Sequence, residues 1–168
     1  WADGEMQSIK TLQHSSGDLS FTLPSLKSEW AMKHLTDAGV AALLAHPELP
    51  VLKSLHFMGV NITDATVGAV VASEKSLTLD DLSFGFAPLG DAGLEAISAW
   101  PGLASVQALG FNKTGATAVG LTALASGPYS QEMPALSLNW QPLGNAGAEV
   151  LSKMKMRGLL SVKDSEIR

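Results

Sequence analysis

The sequence contains no cysteine. That excludes disulfides, zinc–cysteine sites and thiol catalysis. Charge is also scarce: 16% of residues are Asp, Glu, Lys or Arg, and acids outnumber bases 16 to 11, for a net charge of −5. A chain of this sign lacks the basic face that tracks phosphates or docks on anionic lipid. Neither nucleic acid nor a membrane is therefore expected as a partner. No apolar run approaches the ~18–20 residues of a membrane span. The four histidines, His14, His34, His46 and His56, show no paired helical spacing. No metal and no cofactor is expected from such scattered ligands. Aromatic residues make up only 6%, so the place of each one is informative.

What is plentiful is apolar residues, 46% of 168, enough for the continuous core of one domain. They are ordered by a repeat. Gly39, Gly93, Gly120 and Gly147 fall on one phase of a 27-residue period (93, 120, 147), and Thr66 fills the remaining slot. Self-similarity of this length is the mark of a solenoid. With the glycine phase numbered 15, position 4 reads Ser28, Leu55, Leu82, Leu109, Leu136, and position 6 reads Trp30, Phe57, Phe84, Phe111, Leu138. Position 11 reads Leu35, Ile62, Leu89, Ala116, Leu143.

The period changes inside each block. Positions 4 and 6 alternate, as on the buried face of a strand. Positions 16 (Val40, Val67, Leu94, Leu121, Ala148) and 19 (Leu43, Val70, Ile97, Leu124, Leu151) lie three apart, as on a helix. Asp37, Asp64, Asp91 and Asn145 at position 13 read as helix N-caps. Pro47, Pro101 and Pro128 share position 23, past the helix end. Each block is thus strand, turn, helix, return. Its strands should be parallel and its crossovers right-handed. Helices about 10 Å wide behind strands about 4.8 Å apart force a bend with the strands inside.

The runs Leu52-x-x-Leu55-x-Phe57 … Ile62-Thr63-Asp64-Ala65 and Leu79-x-x-Leu82-x-Phe84 … Leu89-Gly90-Asp91-Ala92-Gly93 resemble leucine-rich repeats of the ribonuclease-inhibitor-like type. Their Gly-Ala-rich helix starts are similar to bacterial repeats of the GALA kind. The resemblance covers about residues 25–168. It implies an α/β right-handed solenoid, a horseshoe arc with a parallel sheet on the concave face and helices on the convex face. It divides the chain into an N-terminal cap (1–24), five repeats (25–156) and a truncated final repeat or C-terminal cap (157–168). In the cap, Leu19, Phe21 and Leu23 alternate as a strand, with Trp1 and Ile9 as apolar contacts. At the far end Leu160, Val162 and Ile167 fit positions 4, 6 and 11 about three residues early. The chain starts at Trp1 and reads as a processed form or a piece of a longer one. The family usually carries Asn at position 9. Here that slot holds Lys33, Val60, Ala87, Thr114 and Gln141, so apolar packing is expected at the strand-to-helix corner.

The resemblance implies a binding module that holds a protein or peptide on its concave face, and not an enzyme. That face takes positions 3, 5 and 7, with position 8 at its rim. The residues expected to bind are His56, Met58, Ser83, Phe86, Asn112, Asn139 and Trp140, since exposed aromatics and Met beside small residues suit a binding surface. For Phe86 and Trp140 the competing expectation is core filler at the corner. Two alternative functions stand beside binding. One is a structural segment of a larger repeat, surface or effector protein. The other is a hydrolase using the row Glu29, His56, Ser83 as acid, base and nucleophile, against which stand an open face and the lack of an oxyanion-hole motif.

Overall fold

A computed structural model of the chain describes residues 35–47, 52–59, 61–76, 78–129 and 135–165, and the backbone of 18–22. The expectations for Trp1, Ile9, Leu23, Ser28, Glu29, Trp30, Lys33, Val60 and Ile167 lie outside the described residues.

Strands and helices alternate along the described chain. They run β1 (Asp18–Thr22), α1 (Asp37–Leu44), β2 (Ser54–Met58), α2 (Asp64–Ala72), β3 (Asp81–Gly85), α3 (Gly90–Ser98), β4 (Ala108–Asn112), α4 (Ala118–Ser126), β5 (Ala135–Ser137), α5 (Gly144–Lys153) and β6 (Leu160–Ser161). The strands form one parallel sheet in the order β1 to β6. The 27-residue spacing survives as register: Leu55, Leu82, Leu109 and Leu136 stand abreast. At the last strand the spacing shortens, and Leu136 pairs with Leu160.

The first strand departs from the expected phase. The partner of β2 is Asp18–Thr22, with Leu19 beside Leu55, not a strand centred on Ser28. The alternation read in the sequence at residues 19–23 marks a strand that joins the sheet directly.

One face of the sheet is dry. Leu55, Leu82, Leu109 and Leu136 are buried, and so are Phe57, Phe84, Phe111 and Leu138. The Phe57 and Phe84 rings stack at 5.4 Å and 13°, and Phe84 meets Phe111 at 5.1 Å and 49°. Aromatic neighbours at such distances add to plain area burial. The helices supply Val40, Val67, Leu94 and Leu121 from position 16 to the same core.

The helix starts differ from expectation in an instructive way. The N-caps are Thr36, Thr63 and Thr117, one residue before the expected position, and their hydroxyls accept from Gly39, Ala65 and Val119 N–H. Asp37 and Asp64 open their helices at the first helical residue, and Asp91 is the second residue of α3. Asn145 is likewise the second residue of α5. Two of these acids reach forward to the next block. Asp37 accepts from Thr63 N–H at 2.8 Å, Thr63 Oγ1 at 2.8 Å and Thr66 Oγ1 at 2.6 Å. Asp91 accepts from Thr117 N–H at 2.7 Å, Thr117 Oγ1 at 2.9 Å and Gly120 N–H at 3.0 Å. At these two links the residue of the glycine phase is the buried Thr66, donating its hydroxyl, or Gly120, close enough to donate its amide.

The strand-to-helix corner is polar where apolar packing was expected. Ala87 fits that expectation, but Thr114, Gln141 and Ser165 are buried there too. Gln141 Nε2 donates to the Phe111 carbonyl at 2.6 Å and to Thr114 Oγ1 at 2.8 Å. Ser165 Oγ donates to the Leu138 carbonyl at 2.7 Å. Position 9 thus still ties the corner to the preceding strand, with Gln and Ser in place of Asn.

Candidate functional site

The opposite face of the sheet is open, because strand side chains alternate and the helices pack on the buried side. His56, Ser83, Gly110 and Ser137 stand abreast on it. Met58, Gly85 and Asn112 form the next row. Of the seven residues singled out in the sequence, His56, Met58, Ser83, Asn112 and Asn139 are partly exposed, and Phe86 and Trp140 are exposed.

A shallow groove of about 350 Å³ crosses the strands on this face. His56 and Asp81 lie at its β2 end and Leu159 at its β6 end, with Ser83, Gly110 and Ser137 between. Its floor is low because Gly110 admits its neighbour: a Cβ there would stand 2.5 Å from Ser83 Oγ. In the next row a Cβ on Gly85 would stand 2.5 Å from Met58 Sδ. Met58 thus lies down over the adjacent strand.

An asparagine ladder, absent from position 9, is present at position 7. Asn112 Oδ1 accepts from Ser137 Oγ at 2.7 Å and Asn139 N–H at 3.0 Å. Asn139 Oδ1 accepts from Ser161 Oγ at 2.8 Å and Lys163 N–H at 2.7 Å. These amides hold the strand ends together, so part of the expected binding role of Asn112 and Asn139 is structural. The signal was in the sequence as two asparagines one period apart.

The rim is built by position 8, and there every described block turns through left-handed backbone. Gly59 (φ 68°), Phe86 (57°), Lys113 (51°), Trp140 (56°) and Asp164 (50°) share it. The first four of these turns are pinned: Gly59, Phe86, Lys113 and Trp140 N–H donate to Gly85, Asn112, Asn139 and Lys163 carbonyls at 2.8–2.9 Å. Glycine takes this conformation without penalty, whereas a bulky side chain does not. Phe86 is 47% exposed and Trp140 46%, so neither is core filler. Their ring centres lie 6.1 Å apart, although two strand spacings, about 9.6 Å, separate their chains. The rings lean together over Lys113, whose Nζ lies 5.4 Å from the Phe86 ring centre.

The expected row of Glu29, His56 and Ser83 is not what faces His56. In register Ser20 stands beside His56 on one side and Ser83 on the other. The carboxylate at His56 belongs to Asp81, with Oδ1 3.6 Å from Nε2. Ser83 Oγ leans over Gly110, towards β4 and away from the imidazole. Among the described residues no three acidic, histidine or cysteine side chains are grouped to hold a metal. No described helix is long and apolar enough to cross a membrane. The glycine-rich start at Gly90 is tied to its neighbour, its N–H donating to the Thr114 carbonyl at 3.0 Å. A scan of family models returns no match to the chain, and a search among curated proteins returns none either.

Proposed function

We propose that this protein is a leucine-rich-repeat binding module of the ribonuclease-inhibitor-like type. In this reading the arc is right-handed, the open sheet face is concave, and it holds a protein or peptide. The observation that carries the reading is the rim. Two aromatic side chains stand exposed on strained, hydrogen-bonded backbone, beside a groove floored by small residues. Gly59 and Asp164 fill the same turn geometry, so the turn itself does not call for rings. Residues in sparsely populated backbone regions cluster at ligand clamps and other functional sites, and Trp is among the residue types enriched at binding hot spots.

The test is selection from a random peptide display library on the immobilised chain. Peptides recovered on the wild type should be lost on the Met58→Glu, Trp140→Glu double variant, with circular dichroism unchanged. Equal recovery on both proteins would move the binding surface elsewhere. A screen that recovers nothing reproducible would remove the reading.

A further inference from the structure

We infer that the rim recognises an acidic peptide segment carrying aromatic side chains, with the rings seated at Phe86 and Trp140 and the acids at Lys113 and Lys163. This inference rests on the binding reading above and specifies its ligand. Along the rim the column reads Phe86, Lys113, Trp140 and Asp164, and Lys163 stands one residue before Asp164, its carbonyl accepting from Trp140 N–H. Neither lysine forms an ion pair with a described residue. Lys113 instead spends its charge on the Phe86 ring, an interaction a carboxylate would complement rather than break. Asp164 is the one acid in the column, at its far end. Two lysines against that one acid leave this end of the rim positive by a single charge, in a chain whose net charge is −5.

The adjoining face supplies what a peptide backbone needs. Asn112 Oδ1 is engaged by Ser137 and Asn139, but its Nδ2 donates to no described residue. That amide lines the groove and hangs over Gly110, 3.5 Å from where a Cβ would stand. It offers donors to a passing carbonyl. The pinned turns fix the backbone that carries the rings before the ligand arrives, which lowers the cost of binding. Two lysines are too few to track a run of phosphates, and this favours a peptide over a single-stranded nucleic acid, whose bases would also stack on the rings.

The experiment is an NMR titration of the full ¹⁵N-labelled chain, read at the indole N–H resonances. Buried Trp100 serves as the internal control for folding. The probes are a blocked peptide of alternating glutamate and tyrosine, its lysine-for-glutamate analogue, its alanine-for-tyrosine analogue, and oligothymidylate. Expected is a shift of the Trp140 indole and of the Lys113 and Lys163 amides with the first probe, and a still Trp100. Affinity should fall about tenfold or more in Trp140→Gly. In Lys113→Glu the preference should turn towards the lysine analogue, as charge complementarity requires. Equal binding of the two charge forms, tighter binding of oligothymidylate, or a rim that stays silent to the acidic peptide overturns the inference. The library selection above, repeated on single variants, decides the sheet-face reading separately: peptides lost with Met58→Glu but kept with Trp140→Gly would sustain that reading and sink this one.

Discussion

Two glycines in similar helices should respond oppositely to the same methyl group. Gly68, inside α2, has nothing within 4 Å of the point a Cβ would occupy, whereas a Cβ on Gly120 would meet Asp91 Oδ1 at 2.6 Å and Asp91 Cα at 2.9 Å. Gly68→Ala should raise unfolding free energy by about 0.5–1 kcal/mol through helix propensity. Gly120→Ala should lower it by about 1–3 kcal/mol, because backbone and a hydrogen-bonded carboxylate must give way. Urea unfolding of the two variants checks both signs at once. The phase of glycines was plain in the sequence, but its cause was not. Thr66 looked like an exception to the phase until its buried hydroxyl was found on Asp37. The left-handed rim was also hidden, since such turns are normally announced by Gly or Asn, and here Phe86, Lys113 and Trp140 occupy them. For Trp140→Gly the relief of strain and the loss of ring contacts oppose each other. Stability should stay within about 1 kcal/mol of wild type while binding is lost, a separation that unfolding and titration together would reveal.

At the scale of the element, adjacent helices are joined through one carboxylate. Asp91→Ala removes the acceptor of three hydrogen bonds and should cost about 2 kcal/mol, the range for bonds to a charged group. Asp37 makes the equivalent link and adds a pH dependence. Partial burial pushes its carboxyl up, but the hydrogen bonds from Thr63 and Thr66 together outweigh that and hold it below its ordinary value of 3.8. A carboxylate lowered in the folded state adds stability in full above the unfolded value, and that stability is lost as pH falls through the folded one. Stability of the wild type should therefore drop below about pH 4, and Asp37→Ala should flatten that drop in a series of urea titrations at decreasing pH. An unchanged slope would show that the link carries no net charge preference. The strand and helix of each block were legible because their periods differ, 2 against 3.6. Capping was placed one residue late because Asp and Thr are both good caps. Only the approach of the next block decides that Thr36, Thr63 and Thr117 cap while Asp37 and Asp91 bridge.

Across the whole molecule, stability in a repeat array is a sum of block and neighbour terms, so the ends open before the centre. The sequence showed the 27-residue array but not how it meets its first strand, because the pairing of Asp18–Thr22 with β2 is a tertiary choice that breaks the period. The end at β6 has consequences for the rim. Leu160 occupies the core slot of that block yet is 40% exposed, and Leu159 is 84% exposed. The amides of Leu136, Leu138 and Trp140 donate to the carbonyls of Leu159, Ser161 and Lys163, so they are protected only while the last block is closed. The amides of Phe86 and Lys113 bond to Asn112 and Asn139, further inside. Native-state hydrogen exchange should therefore show Trp140 opening at lower free energy than Phe86. Phe84→Ala, in the ring stack, should cost about 3–5 kcal/mol and lower the protection of every block. Leu160→Ala should cost about 1 kcal/mol or less and lower that of Leu136, Leu138 and Trp140 alone. If ligand is held by the rim, Leu160→Ala should also weaken binding, since one of the two rings rests on the block it loosens. Uniform loss of protection in Leu160→Ala would mean that the array unfolds as one unit and that its last block is no weaker than its centre.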